Sequence, residues 1–220
     1  MSRLVRAGGW LFRHRTSIPI PLVLALLVIP ADQSALSRQL IVLGVGCVIA
    51  AESLRLWAVH HIGAISRTRS ERLGPLVSTG PFALVRNPLY LGNIALWVGF
   101  AVSARLLWLV PVFLVGLSLE YHAIVRWEEH LLESRRGEEY RAYAARVPRW
   151  WPLSRQSTVD RRQSDADGEQ PSADSQRSAI EGRLTTDDCR LTFSWGDTLF
   201  SERGTLIAIA LGYLLLWMKS

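Results

Sequence analysis

Residues 88–125 read PLYLGNIALWVGFAVSARLLWLVPVFLVGLSLEYHAIV, two apolar runs parted only by Ser103-Ala104-Arg105. A helix that crosses the hydrocarbon of a bilayer needs about 20 predominantly apolar residues. The 105–125 run meets that length and the 88–103 run approaches it, so the pair predicts a tight helical hairpin within a membrane. Three more apolar runs surround it, at 18–31, 39–59 and 204–218. The middle one is long enough to span. The outer two are short and call for tilt, a re-entrant path or extension by their flanks. The expected fold is an all-α integral membrane protein with four to five transmembrane helices, a central helical hairpin and a short cytoplasmic helical cap.

Composition agrees. Of 220 residues 49% are hydrophobic, yet 20% are charged, because long apolar runs coexist with a polar tail. The formal charge of +6 is carried almost wholly by arginine, with Lys219 the only lysine. These arginines flank apolar runs, a placement that reads as membrane orientation and not as a nucleic-acid surface. They crowd the N-terminus (Arg3, Arg6, Arg13, Arg15), the 60–88 loop (Arg67, Arg69, Arg72, Arg86) and the stretch after Arg126, whereas the opposite loops carry Arg38 and Arg105. The positive-inside rule then puts the N-terminus and the long loops in the cytoplasm, and the use of arginine in place of lysine, a codon signal of a GC-rich bacterium, makes a bacterial inner membrane the expected location.

The N-terminal arginines followed by residues 18–31 imitate a signal peptide, but Ile29-Pro30-Ala31 lacks the small residue wanted two positions before a cut, so this run is expected to be retained as a helix. Cys47 lies in an apolar run and Cys189 in the polar tail, which argues against a disulfide, and no Cys/His zinc spacing occurs. His60 and His61 are adjacent and point different ways on a helix, so no metal is expected. Residues 1–152 are expected to form the membrane domain. Residues 153–190, rich in Ser, Asp, Gln and Arg, read as a disordered cytoplasmic linker. Residues 191–220 read as an interfacial segment, with Phe193, Trp195, Leu199 and Phe200, leading into a final apolar helix.

Two polar stretches border the hairpin. Gly74 to Tyr90 is punctuated by Gly and Pro and leads into a helix whose first turn holds Pro88. A helix start offers free N–H groups and the positive end of the dipole to an anion. Arg86, Tyr90, Asn93 and Trp97 follow at helical spacing, either as part of a site or as a polar stripe bonding neighbouring helices. The second stretch carries Glu120-Tyr121-His122 and Arg126-Trp127-Glu128-Glu129. Acids there are costly unless solvated, paired or used, and an ordinary helix end would pair Glu129 with Arg136. Gly137 stops the helix, Glu138 to Arg146 restarts it with Tyr140 and Tyr143 on one face, and Val147 to Pro152 ends the fold. In the apolar 39–59 run, Glu52 and Arg55 stand three apart and are expected to pair.

Together the fragments Gly80-Pro81-Phe82, Arg86-Asn87-Pro88-Leu89-Tyr90, Glu128-Glu129, Gly137-Glu138-Glu139-Tyr140 and Val147-Pro148-Arg149 resemble, in order and spacing, the isoprenylcysteine carboxyl methyltransferase family. Phospholipid N-methyltransferases are similar in the same places. The resemblance covers about residues 52–152. It implies a pocket for S-adenosyl-L-methionine between the hairpin and the cytoplasmic segments. Its contacts carry over to Leu76, Val77, Phe82, the turn Asn87, Pro88, Leu89, Tyr90, and Glu128, with Glu129 beside it. An adenine suits the apolar Val77 and Phe82, ribose hydroxyls suit the Glu128 carboxylate, and Arg86 suits the methionine carboxylate. A GxGxxG after a strand, the soluble dinucleotide-type arrangement, is absent.

The sequence departs from the family twice. Asn87 stands where many relatives have histidine, and the substrate-contacting arginine of the family aligns on Ile124, leaving Arg126 and His122 as the nearest catalytic substitutes. The expected partners are the lipid bilayer and a lipid-like methyl acceptor, with no nucleic acid. Asn87 cannot serve as a base, which favours carboxyl methylation of an isoprenylcysteine-type acceptor over N-methylation of a phospholipid amine. A small thiol is a further possible acceptor. Two rival readings are an NADPH-dependent membrane reductase of related arrangement, with Arg67, Arg69 and Arg72 for the 2′-phosphate, and a non-catalytic protein that retains the fold.

Overall fold

A computed structural model of the chain describes residues 3–15, 17–30, 37–63, 76–151 and 194–219. These form seven α-helices and one 3-10 turn, without a strand among the described residues: α1 (Arg3–His14), α2 (Ile20–Val28), α3 (Ser37–Ile62), the turn Gly80–Ala83, α4 (Pro88–Ser103), α5 (Leu109–Arg136), α6 (Glu138–Arg146) and α7 (Trp195–Lys219). Three stretches are long and apolar enough to cross a membrane, Arg38–Ile62, Leu109–Arg136 and Trp195–Lys219, and α4 is a shorter apolar helix beside them. The chain is an all-α integral membrane protein. The expected linker at 153–190, Cys189 and the arginines at 67, 69 and 72 lie outside the described residues.

The hairpin of α4 and α5 turns where its sequence indicated. Leu106 N–H bonds the Ala101 carbonyl (3.0 Å) and Arg105 N–H that of Val102 (3.0 Å). This is a Schellman ending, with Arg105 at φ 63 in the left-handed position usually held by glycine. Leu106 and Ala101 are both buried and supply the hydrophobic contact that accompanies such a cap. At the other end Gly137, at φ 51, breaks α5 from α6 and lets the shorter helix fold back.

α3 packs along α4, and the contact depends on small residues. A Cβ at Gly44 would stand 2.5 Å from the Ser103 backbone nitrogen and 2.6 Å from the Gly99 carbonyl oxygen. The two backbones therefore approach closely enough to add dispersion contacts, which drive helix association where no hydrophobic force is available. Phe100, Phe113, Leu117, Tyr121 and Ile124 fill the space between α4 and α5.

Both ends of the chain differ from the sequence expectation. The arginine-bearing N-terminus is itself a helix, α1, whose buried face of Val5, Gly8, Gly9 and Phe12 lies on α5 at Ala123 and Trp127. Alone, 12 residues with two adjacent glycines make a poor helix, and the packing against α5 supplies what propensity does not. The 18–31 run yields only the nine-residue α2, too short to span, because the chain turns at residues 17–19 just before Ile20. The last apolar run gains a turn-rich start: Ser194 Oγ accepts the Asp197 N–H (3.1 Å) and bonds its carboxylate (2.8 Å), a cap that extends α7 back through the stretch expected to be interfacial. α7 runs antiparallel to α3, with Trp195 stacked on His60, Tyr213 bonded to Ser103 (3.0 Å) and Lys219 donating to the Leu26 carbonyl (2.7 Å).

The Gly44 contact yields a direct comparison. Gly44→Ala should destabilise the protein in detergent by about 1–3 kcal/mol through overpacking against Ser103. Gly46→Ala, on the same helix with nothing within 4 Å of the new methyl, should be neutral or stabilising by up to about 1 kcal/mol. Thermal unfolding of the two variants checks this.

Candidate active site

The turn-rich segment before α4 is held by the end of α6. Pro81 opens a 3-10 turn in which Leu84 and Val85 N–H groups bond its carbonyl (3.2 and 3.1 Å). Tyr143 donates its hydroxyl to the Phe82 carbonyl (2.8 Å), Arg86 N–H bonds the Pro148 carbonyl (2.9 Å), and Asn87 Nδ2 bonds the Arg149 carbonyl (3.1 Å). Burial pushes the Tyr143 phenol well above its ordinary value, which keeps it a hydroxyl donor. Because the Asn87 side chain bonds Arg149, it does not cap α4, and that helix starts at Pro88 without a side-chain cap. Leu76 packs on Tyr140, Tyr143 and Val147, so α6 and the segment share one small apolar cluster.

Over this scaffold sits an ion triad. Glu129 receives Arg149 through two bonds, Nε to Oε1 (2.8 Å) and Nη2 to Oε2 (2.6 Å), and Arg86 Nη1 lies 2.8 Å from its Oε1. Arg86 also reaches the Tyr140 hydroxyl at 3.4 Å. The fork geometry of Arg149 matches a carboxylate and makes these charge-assisted bonds the strongest at the site. They hold the Arg149 guanidinium above its ordinary value against the opposing effect of burial. Two guanidinium charges face one carboxylate, and the buried Arg86 Nε has no hydrogen-bond partner. The triad therefore has both charge and a donor to offer an anion.

Glu128, one residue earlier, faces elsewhere. Successive helical residues are turned by about 100°, and Glu128 meets Tyr90 of α4, whose hydroxyl donates to Oε1 at 2.8 Å. Tyr90 stacks on Tyr121 with ring centroids 4.8 Å apart. Arg15, seated over the Phe12 ring, brings its charge to bear on Glu128 and Tyr90.

The structure thus brings Arg86, Asn87, Pro88, Tyr90, Glu128 and Glu129 to one end of the bundle. Phe82 is buried, with its carbonyl used by Tyr143, while Leu76 and Val77 are half-buried. His122 is half-buried and Arg126 exposed. On the α5 wheel they lie about 20° and about 60° from Glu129 but about 120° and about 160° from Glu128, so they share the side of the helix that carries Glu129, Arg126 about one turn and His122 about two turns before it. Glu129 pairs with Arg86 and Arg149, whereas Arg136 turns to Glu139 (3.4 Å). Sequence reasoning gave no role at the site to Arg149, Tyr121 or Arg15, the last being read only as an orientation charge. Arg149 stood in the Val-Pro-Arg fragment, and that was its only signal. His60 stacks on Trp195 and bonds Thr198 (3.2 Å), and His61 bonds the Trp57 carbonyl (2.9 Å).

Removing the central carboxylate should be felt as a loss of stability. Glu129→Gln leaves two largely buried guanidiniums without a counter-charge and should cost roughly 2–4 kcal/mol. Glu128→Gln, which alters one bond to a neutral phenol, should cost less than about 1.5 kcal/mol. Denaturant or thermal unfolding in detergent measures both.

The chain is similar to known membrane proteins. A family model described as phospholipid methyltransferase matches residues 40–138, from α3 through the start of α6. The nickel-cobalt-cadmium resistance protein NccN of Alcaligenes xylosoxydans xylosoxydans is 32% identical over 150 residues, covering 66% of this chain and 67% of that protein. The cobalt-zinc-cadmium resistance protein CzcN of Cupriavidus metallidurans is 30% identical over 150 residues, covering 66% of each. The chain thus spans about two thirds of the length of these relatives. No solved structure matches it. The protein belongs to the phospholipid methyltransferase family of membrane proteins, the family that also holds the isoprenylcysteine carboxyl methyltransferases.

Proposed function

We propose that this protein is an S-adenosyl-L-methionine-dependent methyltransferase that methylates the carboxylate of an isoprenylcysteine-type, lipid-like acceptor. The observation that carries the reading is the meeting of the Tyr90–Glu128 pair with the Arg86–Glu129–Arg149 triad at the uncapped start of α4. The donor set fits the cofactor. Its methionine carboxylate suits the surplus positive charge and the unpartnered Arg86 Nε. Its ribose hydroxyls suit Glu128, and its adenine the apolar surfaces of Leu76, Val77 and Phe82.

When bound, the cofactor supplies a methyl group on a sulfonium that leaves as a neutral thioether. The residues of the chain then have little covalent chemistry to perform, and their contribution is orientation and exclusion of water. Glu129 holds Arg86 and Arg149 in place. Tyr90 fixes the rotamer of Glu128 through its hydroxyl. An acceptor carboxylate is ionised at neutral pH and needs no base, which agrees with Asn87 at the position of the family's histidine. Arg126 and His122, about one and two turns before Glu129 on the same side of α5, are our candidates to meet an acceptor arriving from the bilayer. By the arginine distribution, this end of the bundle faces the cytoplasm of a bacterial inner membrane.

Two measurements test the reading. Titration calorimetry with S-adenosylhomocysteine should show binding to the wild type. Glu128→Ala should weaken it about ten- to a hundredfold, roughly 1.5–3 kcal/mol, and Glu133→Ala, at an exposed position, should change little. Equal small effects from both variants would remove Glu128 from the cofactor site.

The acceptor is tested by a pH–rate profile at saturating cofactor, with a prenylated cysteine analogue and phosphatidylethanolamine in parallel. A carboxylate acceptor gives a rate flat from about pH 6 to 8. An amine with a pKa above about 9 gives a rate climbing about tenfold per pH unit unless a group such as His122 takes the proton. Turnover of the amine lipid alone, with a limb lost in His122→Ala, would make phospholipid amine methylation the function.

A further inference from the structure

A second buried charge cluster lies deeper in the bundle, and it joins the C-terminal helix to the site. Arg55 of α3 donates Nε to Glu52 Oε2 (3.0 Å) and Nη2 to Glu202 Oε2 (2.6 Å), and Nη2 also lies 3.2 Å from Thr205 Oγ1. Its Nη1 donates to the Asn93 side-chain carbonyl on α4. Glu52 and Glu202 are almost wholly buried. Five polar groups from three helices are thus concentrated where unpaired ones would be most costly. Pairing of Glu52 with Arg55 alone would have satisfied the charge. The recruitment of Glu202, from a helix outside the 40–138 region that the family model covers, calls for another reason.

The connection onward from Asn93 supplies it. With its carbonyl oxygen committed to Arg55, the Asn93 amide keeps its NH2 to donate, and the group of α5 on which it acts is the Tyr121 hydroxyl. Tyr121 stacks on Tyr90, and Tyr90 holds Glu128. We infer that Glu202 is a positioning residue for the cofactor carboxylate: through Arg55 it sets the orientation of Asn93, which seats Tyr121 against Tyr90 and thereby fixes Glu128. α7 is then a working part of the methyltransferase and not only an added membrane anchor. The inference rests on the proposed role of Glu128 in holding the cofactor.

The test is a double-mutant cycle on full-length protein in detergent, read as affinity for S-adenosylhomocysteine by titration calorimetry, with the melting temperature of the cofactor-free protein recorded beside it. Glu202→Gln leaves Arg55 paired with Glu52, so the buried guanidinium keeps a counter-charge. Glu202→Gln and Asn93→Ala should each weaken binding roughly three- to tenfold, and the double variant no more than Asn93→Ala alone. A helix that contributes only bulk stability would lower the melting temperature while leaving affinity unchanged, or give affinity effects that multiply. Either result overturns the inference. Should Glu202→Gln not yield folded protein, Thr205→Val takes its place in the same cycle with the same criterion. Wild type that binds no S-adenosylhomocysteine overturns the cofactor reading, and this inference with it. Wild type that binds while Glu202→Gln binds equally well overturns the inference alone.

Discussion

Glu129 is wedged between two guanidiniums, and most of the site end of the bundle is arranged around that contact. A carboxylate or guanidinium withdrawn from water keeps its charge only when an opposite charge and directed hydrogen bonds replace the lost hydration. Arg86 comes from the turn before α4, Glu129 from the last turns of α5, and Arg149 from the segment after α6. One ionic contact therefore fastens three parts of the chain that are distant in sequence. The backbone bond from Arg86 to Pro148 and the side-chain bond from Asn87 to the Arg149 carbonyl run parallel to it and share the load. Arg86 retains a buried N–H with no hydrogen-bond partner, so the clamp is also a place where an anion gains more than it would in water.

The same rule of paired charge governs the deeper cluster at Arg55, with a different outcome. There two carboxylates share one guanidinium and the cluster faces the middle of α4 and α7. The two clusters lie on either side of the Tyr90–Tyr121 stack, which is the only aromatic contact bridging α4 and α5 near the site among those described. Beyond the Arg55 cluster, toward the far end of α4, the packing is apolar and close, with Gly44 and Gly99 letting α3 and α4 meet backbone to backbone. Polar residues thus specify which helices meet, and small and aromatic residues provide the contact area.

Much of this was legible in the residues. The apolar runs at 39–59 and 105–125, the Pro88 helix start, the Gly137 break and the Tyr140/Tyr143 face became α3, α5, the start of α4, the α5–α6 boundary and the buried side of α6. These are local signals: segment length against bilayer thickness, a fixed proline φ, a left-handed glycine and a 3.6-residue period. The Glu52–Arg55 pair was legible for the same reason, being three residues apart on one helix. The family fragments were legible as an ordered pattern, and their convergence at one end of the bundle gives that pattern a physical meaning.

What the sequence by itself determined, then, is that the chain enters the membrane, about where the helices from α3 to α6 begin and end, and which polar fragments accompany the hairpin. Only the tertiary structure decided who pairs with whom. Glu129 was free on sequence grounds to bond Arg136, yet it bonds Arg86 and Arg149, because the fold brings those two guanidiniums to it from 43 and 20 positions away along the chain. Likewise α1 is a helix because Ala123 and Trp127 offer it a surface, and Glu202 belongs to the Arg55 cluster because α7 runs antiparallel beside α3. Local propensity is written within a turn or two of each residue, whereas the partner of a buried charge is set by whichever opposite charge the packed helices leave within hydrogen-bond reach.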